Sequence, residues 1–489
     1  MNPVRRRKLN LPVLAIAAVS LGACVDLAPT YRHPAAPVPA ALPSSGAYPA
    51  ATPSVQPVGA WRDFFGDARL KAVILQALDN NRDLRIAVAN VAASRAQYVV
   101  ERSNLFPKLG ATFSATYGQT PIGALGGGGF SSGGGGSGVY NERLYNAKAG
   151  VSAWELDLFG KVRNATKAAL DSYFATREAR DAVQITLVRE VAADWLILGS
   201  DRALLAIAED TRKSGEATVS LTTARFDGGV ASQLDVSQAQ TVVDQARYDV
   251  ARLITQVARD RNALELVVGA PVRDDMLPAD IDSDGVVLPQ LPSGLASKVL
   301  LARPDVVQAE DRLKAANANI GVARAAFFPD ISLTGSGGAT SLALSTLFRA
   351  SSETWSFAPT ITQPIFDFGQ SRGNLAYAKA QREVSLATYE KSVQTAFREV
   401  SDALAQRGTI ETQLEAQRDL TESAAKSYQL SDARYQRGAD TYLNALIAQR
   451  TLYAARQTLV ATKLARATNL VTVYTTLGGG LETAAPSVP

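Results

Sequence analysis

The chain has 489 residues, 46% of them apolar, so it is long enough for two or three ordered domains and is not typical of a disordered protein. Its 50 Lys and Arg against 46 Asp and Glu give a formal charge of +4. The four cations before residue 24, Arg5, Arg6, Arg7 and Lys8, account for that excess, so residues 24–489 are neutral overall. The basic character therefore belongs to the leader, and no nucleic-acid partner is expected.

Residues 1–23 have the layout of a lipoprotein signal peptide. A basic start precedes the apolar run Leu11–Val19, which is shorter than the roughly 20 residues of a membrane-spanning helix. The leader ends in Leu21-Gly22-Ala23-Cys24, which contains the only cysteine and resembles the bacterial lipobox. The resemblance implies that Cys24 becomes the mature N-terminus and carries S-diacylglycerol and N-palmitoyl groups, a stable anchor in outer-membrane lipid. The alternative is a buried free cysteine beside a conventional cleavage site.

The residue after Cys24 also bears on the destination of the chain. It is Val25 rather than the Asp that resembles an inner-membrane retention signal, which favours the outer membrane. Residues 24–60 are rich in proline and contain the only histidine, His33. This composition predicts a linker or a strap on the body.

The body is a tandem duplication. Phe106-Pro107 recurs as Phe328-Pro329, 222 residues later, whereas Gly160 recurs as Gly369, only 209 residues later. The Gly-rich stretch Gly123–Gly138 lies between these markers in the first copy alone, so one loop insertion of 13 residues is predicted. The predicted organisation is repeat 1 at 61–280, repeat 2 at 281–480 and a tail at 481–489.

Each copy shows the same order of predicted elements. Shorter helices at 81–104 and 304–327 precede strands in which apolar and polar residues alternate, and long helices with heptad-type apolar seams follow. Glycine-containing reversals separate the long helices. The strands are predicted near 109–118, 145–154, 330–339 and 354–363, and the long helices near 164–226, 231–267, 370–435 and 440–477.

The predicted strands match the length of tilted membrane-spanning strands, roughly 9–11 residues. A sheet in lipid must close into a barrel, which four strands cannot do alone. Two chains would give eight strands and a filled lumen, and three would give twelve and a pore. A soluble sandwich is the alternative from alternation alone.

Several segments resemble one family closely. The strand-to-helix signature of the outer membrane factors of tripartite efflux systems resembles two segments, Trp154–Lys161 and Gln363–Gly369. Two further segments, Ala224–Gln240 and Tyr474–Gly480, also resemble that family. This is the TolC-like family, and the lipidated OprM/NodT-like branch is the most similar.

The resemblance implies an α+β membrane fold and a homotrimer. Each chain would give four strands to a twelve-stranded outer-membrane barrel and long antiparallel helices to a periplasmic α-barrel. The Pro-rich segment, short helices near 62–79 and 293–301 and the C-terminus would form an equatorial belt. The implied partners are a periplasmic adaptor (membrane fusion) protein and an inner-membrane transporter, usually of the RND type.

The expected function is a passive exit duct for drugs or other small toxic compounds. No catalytic site is expected, because the sequence has no His-based triad, no metal-ligand cluster and no P-loop. The alternatives are a duct for type I protein secretion or metal-ion export, a coiled-coil structural protein and a periplasmic enzyme. No cofactor is expected beyond the lipid on Cys24.

The reversals between the long helices are the predicted functional surface. The family resemblance implies adaptor docking there, and we hypothesise a charged periplasmic gate of ion pairs between neighbouring helices. Turn geometry alone is the alternative for the glycines, and a helix N-cap is the alternative for Asp440; Ser232 to Asp235 predicts a capping box. The predicted docking residues are Arg225, Phe226, Asp227, Gly228, Gly229, Val230, Arg434, Tyr435, Arg437 and Gly438, and the predicted gate residues are Asp432, Arg434 and Asp440.

Overall fold

A computed structural model describes residues 25–49, 60–121, 139–281, 297–479 and 481. The predicted signal peptide, the predicted lipidation site Cys24 and the Gly-rich stretch Gly123–Gly138 lie outside the described residues, as does the tail from residue 482 onward. The chain divides into two compact units. The sheet unit consists of Met1–His33, Ala93–Phe174 and Asp311–Leu386, and the hairpin unit of Pro34–Ala92, Ala175–Glu310 and Ala387–Pro489.

The sheet unit contains a four-stranded antiparallel sheet in the order β1-β2-β3-β4. Its strands are β1 (Leu109–Pro121), β2 (Val139–Glu155), β3 (Asp330–Ser341) and β4 (Glu353–Thr362). β1 and β2 extend further towards their connection than the sequence pattern predicts, to Pro121 and back to Val139.

One face of the sheet is continuous across all four strands. Leu109 lies opposite Val151, Val151 opposite Gly335, and Gly335 opposite Phe357, so the apolar residues that alternate along β1 and β4 share this face. Trp355 and Phe357 on β4 are 83% and 64% exposed. The alternation predicted from the sequence therefore gives one apolar face.

The strand pairing refines the alignment between the two copies of the repeat. Leu109 pairs with Val151 in copy one and Ile331 with Ile361 in copy two, so Val151 corresponds to Ile361 at an offset of 210. The pairing of β2 with β3 shifts by one residue between Val151 and Trp154, where Ala153 has a φ of 47°. A β-bulge therefore supplies the last residue of the change from 222 to 209. The prediction of one 13-residue insertion was wrong: 12 residues precede Val151 and one lies in the bulge.

Eight α-helices lie in the described residues. The shorter helices are α1 (Trp61–Phe64), α2 (Ala68–Asn80), α3 (Arg82–Ser103) and α6 (Pro304–Ala325), and the long helices are α4 (Lys161–Asp227), α5 (Gln233–Val268), α7 (Gln370–Gln436) and α8 (Tyr442–Thr476). The segment predicted near 293–301 contains a 3₁₀ helix at Ser297–Ala302. No helix of the described residues is both long enough and apolar enough to cross a membrane.

The apolar seams form the core of the hairpin unit. Tyr389, Val393, Ala396 and Val400, spaced as a heptad-type seam, are fully buried. The largest apolar cluster among the described residues contains Phe64, whose ring stacks on that of Tyr474 with a centroid separation of 3.8 Å. Burial of these apolar side chains is the main term that holds the helices together.

The Pro-rich segment begins as a strap on the sheet unit. The Asn164 amide donates to the Asp26 carboxylate at 2.8 Å, and the Asn317 amide donates to the Pro29 carbonyl at 2.7 Å. The Arg324 guanidinium donates to the Leu27 carbonyl at 2.9 Å. These contacts fix residues 26–29 to α4 and α6.

Candidate functional site: the tips of the helical hairpins

The first tip, residues 225–230, reverses the chain between α4 and α5. Gly229 has a φ of +76°, a left-handed conformation that glycine adopts without steric cost, and the Val230 amide donates to the Arg225 carbonyl at 2.9 Å. The predicted capping box is confirmed at the start of α5. The Ser232 hydroxyl accepts from the Asp235 amide at 3.1 Å, and the Asp235 carboxylate accepts from the Ser232 amide at 2.9 Å.

The second tip, residues 434–440, reverses the chain between α7 and α8. Gly438 has a φ of +74°, and the Ala439 amide donates to the Arg434 carbonyl at 2.9 Å. The N-cap of α8 is Thr441 rather than Asp440, and the Thr441 side chain makes no capping hydrogen bond. The Asp440 carboxylate instead accepts from the Thr441 amide at 2.8 Å and the Asn444 side chain at 2.7 Å.

Arg225 connects the first tip to the second. Its guanidinium donates to the Tyr435 carbonyl at 2.8 Å and to the Gln436 carbonyl at 2.6 Å. The same group lies over the Tyr435 ring, 4.6 Å from the centroid, a cation–π contact. One side chain of α4 therefore holds the end of α7 through three contacts.

A small core supports both tips from inside. The Tyr435 ring is buried, contacts the Tyr442 ring with a centroid separation of 5.3 Å, and its hydroxyl forms a 3.0 Å hydrogen bond with the Thr222 hydroxyl. Burial raises the pKa of Tyr442 well above its usual value, so this phenol stays neutral. The cluster consists of Ala239, Val242, Tyr435, Tyr442, Ala445 and Leu446.

Two of the three predicted gate residues form an ion pair. Arg434 Nε lies 3.2 Å from Asp440 Oδ2, with side chains 62% and 21% exposed. Hydrogen bonds from Asn444, the Thr441 amide and Arg434 lower the pKa of Asp440. The Asp432 carboxylate instead accepts from Gln436 in its own helix at 2.7 Å, and burial raises its pKa. The pair forms within one hairpin, whereas the hypothesis placed such pairs between neighbouring helices.

The remaining predicted docking residues lie at the surface of the tips. Phe226 and Val230 are 41% and 77% exposed, so the first tip presents apolar side chains to solvent. Asp227, Gly228, Arg437 and Gly438 are exposed as well. Sequence reasoning missed Asn444 as a hydrogen-bond donor to Asp440. Asn444 lies 209 residues after Asp235 of the capping box, so the repeat offset could have identified this position.

No cluster of three or more His, Cys, Asp or Glu residues suited to a metal ion occurs in the part of the chain that the structure describes.

The outer membrane efflux protein family model matches residues 73–270 and 295–479. The chain belongs to this family. It is 44% identical over 475 residues to the toluene efflux pump outer membrane protein TtgC of Pseudomonas putida, covering 96% of both chains. It is also 39% identical over 470 residues to the cation efflux system protein CusC of Escherichia coli O157:H7, covering 95% of this chain and 97% of CusC.

Solved structures agree with the family assignment. A crystal structure of CusC superposes with a TM-score of 0.81 at 38% identity, covering 93% of this chain and 99% of that one. The open state of the MtrE outer membrane channel of Neisseria gonorrhoeae gives a TM-score of 0.81 at 35% identity, covering 94% and 99%.

Membership confirms several sequence-based predictions. The fold class is that of the outer-membrane efflux channels, an α+β chain with a tandem duplication. The chain is an outer-membrane channel component of an efflux pump, and channels of this family are passive ducts rather than enzymes.

Proposed function

We propose that three copies of this chain form the exit duct of a tripartite pump for small organic toxicants. The observation that carries the proposal is the open sheet: within the described residues neither β1 nor β4 has a second strand beside it. A spanning sheet cannot keep such edges in lipid, and twelve strands close around a water-filled lumen.

The proposed cargo is a solvent or an antibiotic. Relatives at 44% identity are named for toluene efflux and for antibiotic efflux. Cation export is the second candidate, because CusC is 39% identical and gives a TM-score of 0.81.

The proposed partners are a periplasmic adaptor and an inner-membrane transporter of the RND type. The tips supply the adaptor surface in this proposal, since the first tip exposes the apolar side chains of Phe226 and Val230 and the second tip carries the charged groups of Arg434 and Asp440. Apolar side chains surrounded by polar groups are typical of protein interaction sites.

The same tips would form the closed periplasmic mouth. In this proposal the ion pair between Arg434 and Asp440 keeps the second tip in the position it has when the mouth is closed. Asp432 contributes charge near that tip. An exposed ion pair contributes little stability, so an adaptor can break it easily.

Cys24 is the proposed lipid anchor. Mass spectrometry of the purified protein should find the mature N-terminus at Cys24 with S-diacylglycerol and N-palmitoyl groups, and Cys24→Ser should abolish the added mass. An unmodified, internal Cys24 would contradict the anchor.

One set of measurements tests the duct. Native mass spectrometry in detergent should give a trimer, and planar bilayers should show discrete conductance. A strain that lacks its own channel, supplied with this chain and a cognate adaptor and transporter, should regain tolerance to toluene. Regained tolerance to a toxic metal cation instead would favour the second candidate, and a monomer without conductance would overturn the proposal.

A further inference from the structure

Acidic side chains lie in the seam where α4 packs against α5. Asp194, Leu198 and Asp201 are spaced four and three residues apart, so they share one face of α4. On α5, Asp260 lies four residues before Leu264. Leu198 and Leu264 are fully buried in one apolar cluster. The three carboxyls therefore belong to the same contact between the two helices.

The corresponding positions of the second copy are interior. The residues 209 positions later are Ala403, Ile410 and Asn469, and all three are buried. The Asn469 amide on α8 donates to the Ala403 carbonyl at 2.9 Å and to the Gln406 side chain at 3.1 Å, both on α7. The acids of copy one thus occupy seam positions, and copy two has no titratable group at any of them.

Asp260 is the most buried of the three acids, only 8% exposed. Its Oδ1 accepts from the Gln256 side chain at 2.8 Å, but its Oδ2 is buried and accepts from no donor among the described residues. From the other helix, the Asp201 carboxyl lies within hydrogen-bond distance of Asp260. Ionised carboxylates can only accept, so a hydrogen bond within this carboxyl pair, Asp201 and Asp260, requires a proton on one of them.

The charges that face the carboxyl pair are mostly negative. On α4, Glu190 and Asp194 add negative charge to the seam. On α5, Arg252 is the cation that acts on Asp201, and it also pairs with Asp249 at 3.7 Å. Burial, followed by the contact with the partner carboxyl, raises the pKa of Asp201 to about 6, and burial also raises the pKa of Asp194.

The cations next to the carboxyl pair in sequence bind other groups. The Arg202 guanidinium donates to the Pro278 carbonyl at 2.5 Å. Arg261 pairs with Glu265 at 3.1 Å and with Asp274 at 2.8 Å. Both guanidinium groups are thus held by acceptors outside the carboxyl pair, which leaves a proton as its neutralising charge.

We infer that the carboxyl pair is a proton-binding site that couples the packing of α4 against α5 to pH. With one proton bound, the pair makes a hydrogen bond across the seam. When the proton leaves to water, two buried like charges face each other and the seam loosens. The site is independent of the proposed duct, because it needs neither a second copy nor a cargo.

The raised pKa of Asp201 sets the direction of the effect. The ordinary value is 3.8, so between 3.8 and about 6 the folded chain keeps a proton that the unfolded chain has released. Stability from this site is therefore greatest below 3.8 and falls as the pH rises towards about 6, above which the full cost of ionisation remains.

Infrared titration of the full-length protein tests the proton directly, since a protonated carboxyl absorbs apart from ionised carboxylates. The parent protein should gain a protonated-carboxyl band as the pH falls through about 6, and Asp201→Asn and Asp260→Asn should each lose that step. Asp171→Asn is the matched control, a buried acid of the sheet unit with a raised pKa, and should keep it. A step that survives in both seam variants would overturn the shared proton.

Amide hydrogen exchange tests the coupling to packing. After correction for the intrinsic rates, residues 194–201 and 257–264 of the parent should exchange about tenfold faster at pH 7 than at pH 5, since one pKa unit is a tenfold change in an equilibrium. Residues 403–410 of copy two are the internal reference and should not change. Asp260→Asn, which gives copy one the amide already present at Asn469, should remove the pH dependence.

Equal pH dependence in the two copies, or its persistence in Asp260→Asn, would overturn the coupling. If Asp260→Asn does not fold, Asp201→Asn gives the same reading, because it also removes the buried charge pair. Trimer formation and conductance are measured separately, so either result leaves the duct proposal to its own test.

Discussion

The two hairpin tips descend from one repeated unit, yet equivalent arginines in them bind different groups. Arg225 donates to two carbonyls of the other hairpin, whereas Arg434, 209 residues later, pairs with Asp440 of its own hairpin. The position of Asp440 is occupied by Ala231 in the first tip. A single acidic residue therefore accounts for the different partners, because it gives Arg434 a nearby carboxylate that Arg225 lacks.

The same comparison separates the roles of the tips. At the first tip, Arg225 donates to neutral carbonyl groups, and a capping box follows at the start of α5. The second tip and the helix turn before it contain two carboxylates, Asp440 and Asp432, whereas the equivalent positions around the first tip are Ala231 and Thr223. We therefore expect the first tip to provide mechanical connection and the second to provide sensitivity to pH and salt.

Arg225→Ala should produce the largest change. The variant loses two charge-assisted hydrogen bonds and a cation–π contact, about 2–4 kcal/mol of contact between the tips. The distance between spin labels at Val230 and Ala439 should increase and become broader. Arg434→Ala is the matched control and should leave that distance nearly unchanged; equal broadening in both variants would remove the distinction between the arginines.

Ser232→Ala should weaken the start of α5 by about 1 kcal/mol, since a capping side chain is lost. Thr441→Ala, at the equivalent position of α8, should cost much less because Thr441 makes no capping hydrogen bond. Limited proteolysis in the two reversals measures the difference. Faster cleavage of the Thr441→Ala protein would show that the capping difference does not matter.

Substituting both Arg434 and Asp440 by Ala should raise the closed-state conductance modestly. The exposed pair contributes little stability and is screened by salt, so the parent protein at high salt should approach the variant. Single-channel recording at two salt concentrations is the measurement. An unchanged closed-state conductance would exclude the pair as part of a gate.

Acidification should have the smallest effect. Asp440 has a lowered pKa, so its contribution to stability is complete above the unfolded value of 3.8 and is lost as the pH falls through the folded pKa below it. Asp432 has a raised pKa, so its ionisation opposes folding at neutral pH, and this cost is relieved as the pH falls through a value above 3.8.

The conductance of the channel is therefore expected to change in two steps as the pH is lowered from 7. The first step reflects protonation of Asp432, and the later step reflects protonation of Asp440. Asp432→Asn should remove the first step only. A profile in which Asp432→Asn removes the later step would reverse the assignment.

Sequence patterns predicted the elements because each pattern has a local cause. Heptad spacing placed Tyr389 and Val393 in the core, and period-two alternation placed Phe357 and Ile361 on one face. The bulge at Ala153 was missed because its single extra residue was hidden inside a larger change of offset. Strand pairing revealed it, since register depends on residues far apart in the chain.

The site was predicted only in part for the same reason. Glycine reversals located both tips, and the spacing of Ser232 and Asp235 identified the capping box. The contact of Arg225 with the second tip depends on how two hairpins pack, which local sequence does not encode. Asp432 was predicted to join the charged gate, but Gln436, one turn later in the same helix, binds its carboxylate instead.

Arg225 also lies at the carbonyl end of α7, where the aligned peptide dipoles leave a partial negative charge and unsatisfied acceptors. The guanidinium thus completes the end of a helix to which it does not belong. If the first tip moves away, the last turn of α7 loses this cation and should fray. Faster amide hydrogen exchange confined to residues 433–437 would then report separation of the tips. The mouth of the duct would therefore lose helical order at the end of α7 when it widens.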